Sequence, residues 1–294
     1  MEFLRPATWE EALAVKAQHP SAVPIAGGTD VMVELNFDRR RPDALVDLNR
    51  IRELHEWRIE DDDTVRLGAC VPYARIIESL HDRLPGLSLG ARTVGSPQIR
   101  NRGSVGGNLG GASPAGDAHP PLLASGATVE AASVRGTRLI PIDDFYLGVK
   151  RNALEPDELI RAIHIPSATG PQQFAKIGTR NAMVIAVCSF AVALHPRTRD
   201  VRTGIGSAAP TPRRAREAEE FIRAELGESG LWTSGGELPQ ATARRFGELV
   251  AAAAAPIDDV RGSAAYRRHA LAVLARRTLL WTWNDHRTTG RAAA

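Results

Sequence analysis

A glycine-rich stretch at residues 101–117, NRGSVGGNLGGASPAGD, places the strongest constraint on how this chain can fold. Six of its 17 residues are glycine, and glycine loses more backbone freedom on folding than any other residue type. Only Val105 and Leu109 could anchor the stretch in a core. A row of glycine N–H groups forms a concavity that binds anions such as phosphate, which predicts a ligand here. A flexible surface loop is the alternative, but the apolar anchors and the run at residues 120–127 disfavour it.

A second, shorter glycine turn lies near the N-terminus. Residues 22–26 predict a short strand, Gly27, Gly28, Thr29 and Asp30 follow directly, and the next residues, VMVEL, are typical of a helix. A strand, a double glycine and a helix start together are typical of a phosphate-binding turn. A plain strand-to-helix turn with Thr29 or Asp30 as N-cap is the alternative. The presence of two such turns in one chain strengthens the prediction of a phosphate-binding site at each.

The composition describes an ordinary globular chain. Its 294 residues are enough for two domains, and hydrophobic residues at 43% and charged residues at 24% are typical of globular proteins in water. The formal net charge of +3 is small for this length. Because no basic stripe is interleaved with aromatic residues either, nucleic acid is not expected as a partner.

Cysteine usage and the N-terminus predict the compartment. Cys70 and Cys188 lie far apart, which favours a reducing environment without disulfides. Two thiols also fall short of the roughly four that an iron–sulfur cluster needs. The first residues, MEFLRP, contain no apolar signal core, and the longest apolar run, residues 183–194, is too short to span a bilayer. We therefore expect a cytoplasmic protein with no membrane segment.

Local patterns predict a mixture of helices and strands in two parts. Thr8 and Glu11 fit a capping box at the start of a helix over residues 9–18. Hairpins are predicted at residues 56–69 and 128–141. A polar segment at residues 167–172 marks a boundary between the parts. Beyond it, strands are predicted at 174–177, 184–194 and 201–206, and helices at 213–226, 240–254 and 264–283.

Three further patterns suggest other chemistry but are weaker than the glycine turns. GLSLG at 86–90 matches the nucleophile elbow of serine hydrolases, yet helix-like residues precede it where a strand is required, so Ser88 is expected in a helix or turn. GIGSAA at 204–209 fits a loose dinucleotide fingerprint, but Pro210 follows where the Rossmann helix should run. The 8 histidines show no metal-binding spacing, so no metal site is expected, and His119 is expected at a surface or in a loop.

Five segments, in order along the chain, carry a resemblance to a known family. They are AGGTD at 26–30, GSPQIRNRGSVGGNL at 95–109 with ASPAGD at 112–117, FAKIGTR at 174–180, GSAAPTPRRA at 206–215 and DVRGSAAYRR at 259–268. With them the chain resembles the FAD-binding medium subunits of the molybdenum hydroxylases, the xanthine dehydrogenase and carbon monoxide dehydrogenase type. The resemblance covers almost the whole length, and five ordered signatures are far more specific than one glycine pattern.

The resemblance implies an α+β fold in three parts. Residues 1–167 are expected to form a FAD-binding domain of the vanillyl-alcohol-oxidase-like, PCMH type. Its two subdomains, at about 1–53 and 54–167, would hold FAD between them. Residues 173–286 are expected to form a C-terminal domain like that of the carbon monoxide dehydrogenase flavoprotein, a small antiparallel sheet with helices packed on it. Residues 287–294 would be a tail.

The resemblance also assigns cofactor-binding roles. The backbone of residues 26–30 and of residues 104–108 would bind the FAD pyrophosphate through oriented N–H dipoles. Asp117 would take ribityl or ribose hydroxyls, and Leu122 or Leu123 would pack near the adenine or the ring system. The full implied set is Ile25, Ala26, Gly27, Gly28, Thr29, Asp30, Val94, Arg102, Gly103, Ser104, Gly106, Gly107, Asn108, Ala112, Ser113, Gly116, Asp117, Leu123, Lys176 and Arg180.

The third signature places two cations near the flavin and departs from the family at one position. The resemblance implies that Lys176 and Arg180 lie near the isoalloxazine, where a cation would stabilise the anionic reduced form; an exposed strand end is the alternative for Lys176. The family commonly has an acid in the pattern R-x-x-x-D-I-A, and Val184 stands at the acid's place. The change removes a negative charge from the flavin's surroundings and leaves the oxidant of the flavin open.

The resemblance implies electron transfer within a larger enzyme. A large molybdenum-cofactor subunit would hydroxylate a substrate with water, a small iron–sulfur subunit would relay the electrons, and FAD on this chain would pass them to NAD or another acceptor, in a heterohexamer of two trimers. No catalytic acid, base or nucleophile is expected on this chain. Two alternatives stay open: a stand-alone flavin oxidase, for which no His or Tyr in the flavin motifs offers a base, and a non-redox nucleotide-binding protein.

Overall fold

The structure, a computed structural model, describes residues 1–292, and a small parallel sheet with two helices opens the chain. The elements are β1 (Glu2–Leu4), α1 (Trp9–Gln18), β2 (Val23–Ile25), α2 (Val31–Asn36) and β3 (Ala44–Asp47). The strands pair in the order β1-β3-β2, all parallel. Helix α1 begins at the predicted capping box, where the Glu11 N–H donates to the Thr8 hydroxyl at 3.1 Å and the Thr8 N–H donates to the Glu11 carboxylate at 3.4 Å.

A five-stranded antiparallel sheet forms the second part of the N-terminal half. After a short 3-10 helix (Arg52–His55), the elements are β4 (Trp57–Ile59), β5 (Thr64–Gly68), α3 (Tyr73–Ser79), α4 (Pro85–Arg92), α5 (Pro97–Arg100), α6 (Val105–Gly111), α7 (His119–Ser125), β6 (Thr128–Ser133), β7 (Gly136–Pro141), α8 (Ile142–Phe145), β8 (Tyr146–Gly148), β9 (Arg151–Asn152) and β10 (Leu159–Pro166). The strand order is β4-β5-β10-β6-β7. Both predicted hairpins are confirmed, as β4–β5 and β6–β7.

The C-terminal part is a three-stranded antiparallel sheet covered by helices. Its elements are β11 (Gln172–Ile177), β12 (Cys188–His195), β13 (Asp200–Gly206), α9 (Arg216–Glu228), α10 (Leu231–Ser234), α11 (Gln240–Ala252) and α12 (Ala264–Ala292). The strands pair in chain order. Phe190 of β12, Phe246 of α11 and Trp283 of α12 are fully buried in the core between sheet and helices.

Helix α7 joins the two halves. Every residue from His119 to Ser125 is buried, and the helix packs on β12 and β13 of the C-terminal sheet. Gly204 of β13 lies so close to α7 that a Cβ there would overlap the Pro120 carbonyl oxygen. Nearby, the Ser207 N–H donates to the Pro114 carbonyl at 2.8 Å. The two halves therefore pack directly against each other at their boundary.

One expectation about the C-terminal part is wrong. Strand β12 begins at Cys188 and not at residue 184, because Met183 lies in the left-handed region, with φ of 51°, and the Val184 carbonyl accepts a hydrogen bond from Lys176. The Val187 N–H still donates to the Ile177 carbonyl of β11, at 2.7 Å. Helix α12 continues beyond the predicted residue 283 to Ala292, and Arg287 Nε donates to the Gly235 carbonyl at 2.9 Å. Residues 293–294 lie outside the described residues.

The structure also decides the weaker motifs. Ser88 is buried within α4, so the rejection of a nucleophile elbow is confirmed. Gly204 and Gly206 lie on β13, which pairs antiparallel with β12, whereas a dinucleotide fingerprint needs a parallel βαβ unit. The expectation for His119 is wrong: it is completely buried at the start of α7.

Candidate functional site

A cavity of about 500 Å³, called the cleft below, lies between the two parts of the N-terminal half. The turn between β2 and α2 forms one wall, α6 forms the facing wall, and residues of the 152–160 segment line it further. Small-molecule pockets commonly measure ~300–1,000 Å³. The cleft therefore has the size and the enclosure of a ligand site.

The two glycine segments meet directly at the base of the cleft. Gly27 lies against the backbone of the second segment, so that a Cβ on it would overlap the Arg102 carbonyl oxygen. Asn49 joins the same two segments, because its Nδ2 donates to the Ala26 carbonyl at 2.8 Å and its Oδ1 accepts from Arg102 at 3.4 Å. Gly28 has φ of 75°, a conformation that glycine adopts without strain. The turn at residues 26–30 is therefore held directly against the glycine-rich stretch.

Much of the glycine-rich stretch is a helix, and the flexible-loop alternative is wrong. The buried hydroxyl of Ser104 caps α6 by accepting the Gly107 N–H at 3.1 Å. Val105 and Leu109 are fully buried, as their apolar character predicts. Gly106 packs on the end of β5, where an added Cβ would stand 2.6 Å from the Ala69 Cβ.

The opposite face of α6 is bare backbone turned toward the cleft. An added Cβ on Gly107 would meet only the Ser104 hydroxyl, at 3.3 Å, and one on Gly110 would meet nothing within 4 Å. Both residues line the cleft. Glycine costs about 1 kcal/mol relative to alanine within a helix. Open glycines that also line a cleft, such as Gly107 and Gly110, therefore favour a ligand that lies on the backbone.

The charged side chains around the cleft provide little net positive charge for binding an anion, so backbone dipoles would have to do so. The carboxylates of Asp30, Glu34, Glu155 and Glu158 line it, against the cations of Lys16 and Arg40. Lys16 is buried and already donates to the carbonyls of Pro20 and Ala22, at 2.6 and 2.8 Å. Burial is the main reason that the pKa of Lys16 is lowered from its usual value. An anionic ligand would thus depend on oriented N–H groups more than on side-chain cations.

Two buried polar side-chain atoms at the cleft have no protein partner. They are the Tyr73 hydroxyl and the Asn108 Oδ1. Burial raises the pKa of Tyr73 well above its usual value, so its hydroxyl stays protonated and can donate a hydrogen bond. Buried polar groups are rarely left unsatisfied, which makes the Tyr73 hydroxyl a candidate for a ligand contact. Asn108 Oδ1 lies against Gly116, which does not line the cleft.

A buried ion pair lies outside the cleft lining, next to the cleft residue Val94. Lys176 Nζ donates to Asp117 Oδ2 at 2.6 Å, to the Thr93 carbonyl at 2.9 Å and to the Val184 carbonyl at 3.1 Å. The Thr93 hydroxyl also donates to Asp117 Oδ2, at 3.0 Å. Burial raises the pKa of Asp117, and the Lys176 charge opposes that rise. All three N–H bonds of the ammonium are occupied.

The chain matches two family models and aligns with characterised relatives. Residues 1–168 match the FAD binding domain in molybdopterin dehydrogenase, and residues 173–282 match the CO dehydrogenase flavoprotein C-terminal domain. The nicotinate dehydrogenase FAD-subunit of Eubacterium barkeri is 35% identical, with 75% of this chain and 79% of that protein aligned. The xanthine dehydrogenase FAD-binding subunit of Escherichia coli is 31% identical, with 94% of each chain aligned. The chain belongs to the FAD-binding subunits of the molybdenum hydroxylases.

The overall structure supports the same assignment. Carbon monoxide dehydrogenase from Hydrogenophaga pseudoflava contains a chain that superposes with a TM-score of 0.86 at 27% identity, covering 97% of this chain and 98% of that one. The predicted α+β architecture and the family resemblance are thus confirmed. So are the oxidoreductase class and FAD as the cofactor. Within residues 1–292, no helix combines the length and hydropathy that a transmembrane span needs.

The cleft fits FAD on two observations of its own. The open faces of Gly107 and Gly110 offer bare backbone to a pyrophosphate, and the unpartnered Tyr73 hydroxyl offers a hydrogen bond to a polar ligand. Sequence reasoning missed Tyr73, which lies outside the flavin motifs and still lines the cleft. Tyr73 comes about thirty residues before the glycine stretch and carries no local signal. Its high pKa makes it a donor and a poor general base.

The structure brings eleven of the implied site residues to the cleft. They are Ala26, Gly27, Gly28, Thr29, Asp30, Val94, Gly103, Ser104, Gly106, Gly107 and Asn108.

The other implied residues do not line the cleft. Leu123, like Leu122, is fully buried in the hydrophobic core, and Ile25 is buried beside β3. Ala112 ends α6 in the left-handed region, and Ser113 and Gly116 follow it. Arg102 is exposed, and Arg180 is an exposed side chain that donates to the Met183 carbonyl. Asp117 and Lys176 form the buried pair described above.

Proposed function

We propose that this chain is the electron-transfer subunit of a molybdenum-containing hydroxylase and holds FAD in the cleft. FAD, when bound, can accept electrons and deliver them to an acceptor. The observation that carries the proposal is the contact between the two glycine segments, which leaves the bare face of α6 open to the cleft. The chain's own task is to bind and position the cofactor, and no acid, base or nucleophile is assigned to it.

The backbone of residues 26–30 and of residues 104–108 would bind the pyrophosphate. Both segments line the cleft, where the acidic side chains outnumber the basic ones. Tyr73 would donate its hydroxyl proton to a polar atom of the cofactor, and Asn108 would contribute its amide. Lys176 would act from behind Val94 rather than by direct contact, because its three N–H bonds are taken.

The proposal includes partners and domain limits. Electrons would arrive from a small iron–sulfur subunit, itself supplied by a large molybdenum-cofactor subunit, and would leave to NAD or another acceptor, in a heterohexamer of two trimers. The two relatives are themselves named as subunits of dehydrogenases, which supports a multi-subunit enzyme. We also propose a PCMH-type domain at residues 1–167, a C-terminal domain at residues 173–286, and a cytoplasmic location, which the free thiols of Cys70 and Cys188 support.

A titration with FAD tests the site. Gly110→Val should weaken binding by at least about tenfold, which is roughly 1.4 kcal/mol, because the new side chain would fill the cleft without touching protein atoms. Gly227→Val is the matched control: Gly227 lies in helix α9, and an added Cβ there also meets nothing within 4 Å. Flavin absorbance and fluorescence report the binding.

Three outcomes of this titration differ in meaning. Loss of binding in Gly110→Val with normal binding in Gly227→Val places the cofactor on α6. Equal binding in both variants contradicts that placement. If the wild-type chain itself binds no FAD, the same titration on the copurified assembly separates a site completed by partners from an incorrect proposal.

A further inference from the structure

Helix α2, which contributes to one wall of the cleft, has little packing of its own. All six of its residues, Val31–Asn36, are at least partly exposed. Val31 and Leu35 pack on a small apolar cluster of β2 and β3. Segments with few buried apolar contacts open locally at low free-energy cost. The position of α2 therefore depends strongly on the contacts that it makes with the rest of the chain.

The facing wall, α6, is held at its C-terminal end by the hairpin of β8 and β9. Asn152 Nδ2 donates to the Gly110 carbonyl at 3.0 Å, and the Lys150 N–H donates to the Ala112 carbonyl at 3.2 Å. The last carbonyls of a helix have no partners within it, so these two bonds supply them. Lys150 adopts the left-handed conformation, with φ of 54°, which is unfavourable for a residue with a side chain. The turn of the hairpin is thereby fixed to α6.

An ion pair connects this hairpin to α2. Lys150 Nζ donates to Glu34 Oε1 at 2.7 Å. The Lys150 side chain is 58% exposed and that of Glu34 is 26% exposed, so water reaches the pair at the rim of the cleft. Glu34 lines the cleft from α2, and Asn152 lines it from the hairpin. The pair thus joins the two walls at a second place, in addition to the contact between Gly27 and Arg102.

The charges around the pair make it weak and easily opened. Arg40 is the other cation near Glu34, with its Nη1 4.0 Å from Oε2. Asp30 lies close by: burial is the main cause of its raised pKa, Glu34 raises that pKa further and Lys150 opposes the rise. Exposed ion pairs contribute little stability individually, which suits a contact that opens and closes. Lys150 also offsets the negative charge of Glu34 at a cleft that would hold an anion.

We propose that Lys150 and Glu34 form a clasp that holds α2 against the hairpin and slows the release of a ligand from the cleft. A dinucleotide that leaves between α2 and α6 would pass the rim after the two side chains separate. Lys150 is then a positioning residue, because it holds one wall in place without touching the cofactor. The clasp follows from contacts within this chain, whereas its effect on FAD rests on the proposed function.

Amide hydrogen exchange of the full-length protein without cofactor tests the clasp itself. Lys150→Met should raise the exchange rates of the α2 amides about threefold, because α2 then separates from the hairpin more often. High salt should bring the wild-type rates toward those of the variant, since ions screen an exposed pair. Arg41→Met is the matched control: Arg41 pairs with Asp38 in the loop directly after α2, and both side chains are exposed. Unchanged exchange in Lys150→Met, or an equal rise in Arg41→Met, would overturn the proposal.

A double-mutant cycle on the release of FAD tests the effect on the cofactor. The rate is measured as the loss of radiolabelled FAD into an excess of unlabelled FAD. Lys150→Met should raise this rate about threefold, the size of effect expected from one exposed ion pair. In the Glu34→Gln background the same change should have no further effect, since the pair is already broken. Lys150→Arg, which keeps a cation for Glu34, should release FAD at close to the wild-type rate.

Each result supports or overturns the clasp. Equal accelerations by Lys150→Met in both backgrounds would overturn it, and so would an unchanged release rate in Lys150→Met. Coupling to Glu34 together with a near-wild-type rate in Lys150→Arg would support it. Where the isolated chain binds no FAD, the cycle is run on the copurified assembly. A failure of the proposed function is recognised by the Gly110→Val and Gly227→Val titration, whereas the hydrogen-exchange measurement still decides whether the clasp holds α2.

Discussion

Replacement of Lys176 by methionine will lower the free energy of unfolding by about 3–5 kcal/mol, the loss expected when one partner of a buried ion pair is removed. The Lys176 and Asp117 side chains are 10% and 8% exposed, and their charged atoms are 2.6 Å apart. Without the ammonium, the Asp117 carboxylate remains buried beside its single Thr93 donor. The carbonyls of Thr93 and Val184 lose their donor as well. Urea unfolding of the variant and the wild type measures the difference.

The loss should depend on pH in a defined direction. In Lys176→Met, burial raises the pKa of Asp117 with no cation to oppose it, whereas the unfolded carboxyl titrates near its usual ~3.9. A raised folded pKa stabilises at low pH and loses that contribution as pH rises through it. The gap between variant and wild type should therefore widen from pH 5 to pH 8. The double variant Lys176→Met/Asp117→Asn, which buries no charge, should recover most of the stability; a double variant as unstable as the single one would contradict this account.

Gly27→Ala should disrupt both the fold of the cleft and cofactor binding. The new methyl group would overlap the Arg102 carbonyl oxygen, and a backbone atom cannot rotate away as a side chain can. Overpacking of this kind costs about 1–3 kcal/mol, occasionally more. The two glycine segments must then separate, and Asn49 would lose its simultaneous contacts with Ala26 and Arg102. We expect a lower urea midpoint and an FAD affinity reduced by at least about tenfold.

Gly111→Ala is the matched control for that substitution. Gly111 also lines the cleft, but its added Cβ would meet only Asp30 Oδ2, at an ordinary 3.6 Å. Its stability should stay near that of the wild type, because alanine is the better helix former. If Gly27→Ala and Gly111→Ala unfold at the same urea concentration, the close contact at Arg102 does not organise the cleft.

Sequence patterns predicted the features that depend on neighbouring residues. The capping box of α1, the two hairpins and the anchoring of the glycine stretch by Val105 and Leu109 all follow from local spacing. The two glycine turns were each recognisable alone. Their mutual contact was not, because it depends on the backbone of Gly27 meeting that of Arg102 across seventy-odd residues of chain.

Features that depend on distant partners carried no local signal. The pairing of Lys176 with Asp117, of His119 with Tyr146, and the approach of Tyr73 to the cleft each join separate elements. His119 follows three polar or small residues and suggested a loop, yet the two prolines after it start a helix that the core surrounds. Residues 184–187 predicted a strand because they are apolar, but β12 begins at Cys188 and the Val184 carbonyl accepts a hydrogen bond from Lys176 instead.

Helix α7 connects the two segments of the chain that match different family models, and we expect them to unfold as one cooperative unit. Its seven residues, His119–Ser125, belong to the first family by sequence, yet they pack against the sheet of the second. A second contact joins the halves, because Lys176 of β11 donates hydrogen bonds to Thr93 and Asp117 of the N-terminal half. Opening the boundary would expose α7 to water and leave a buried charge unpaired, so the two halves should exchange amide protons and unfold together rather than in sequence. A substitution that destabilises the C-terminal sheet should then also change the rate at which the cleft region unfolds locally.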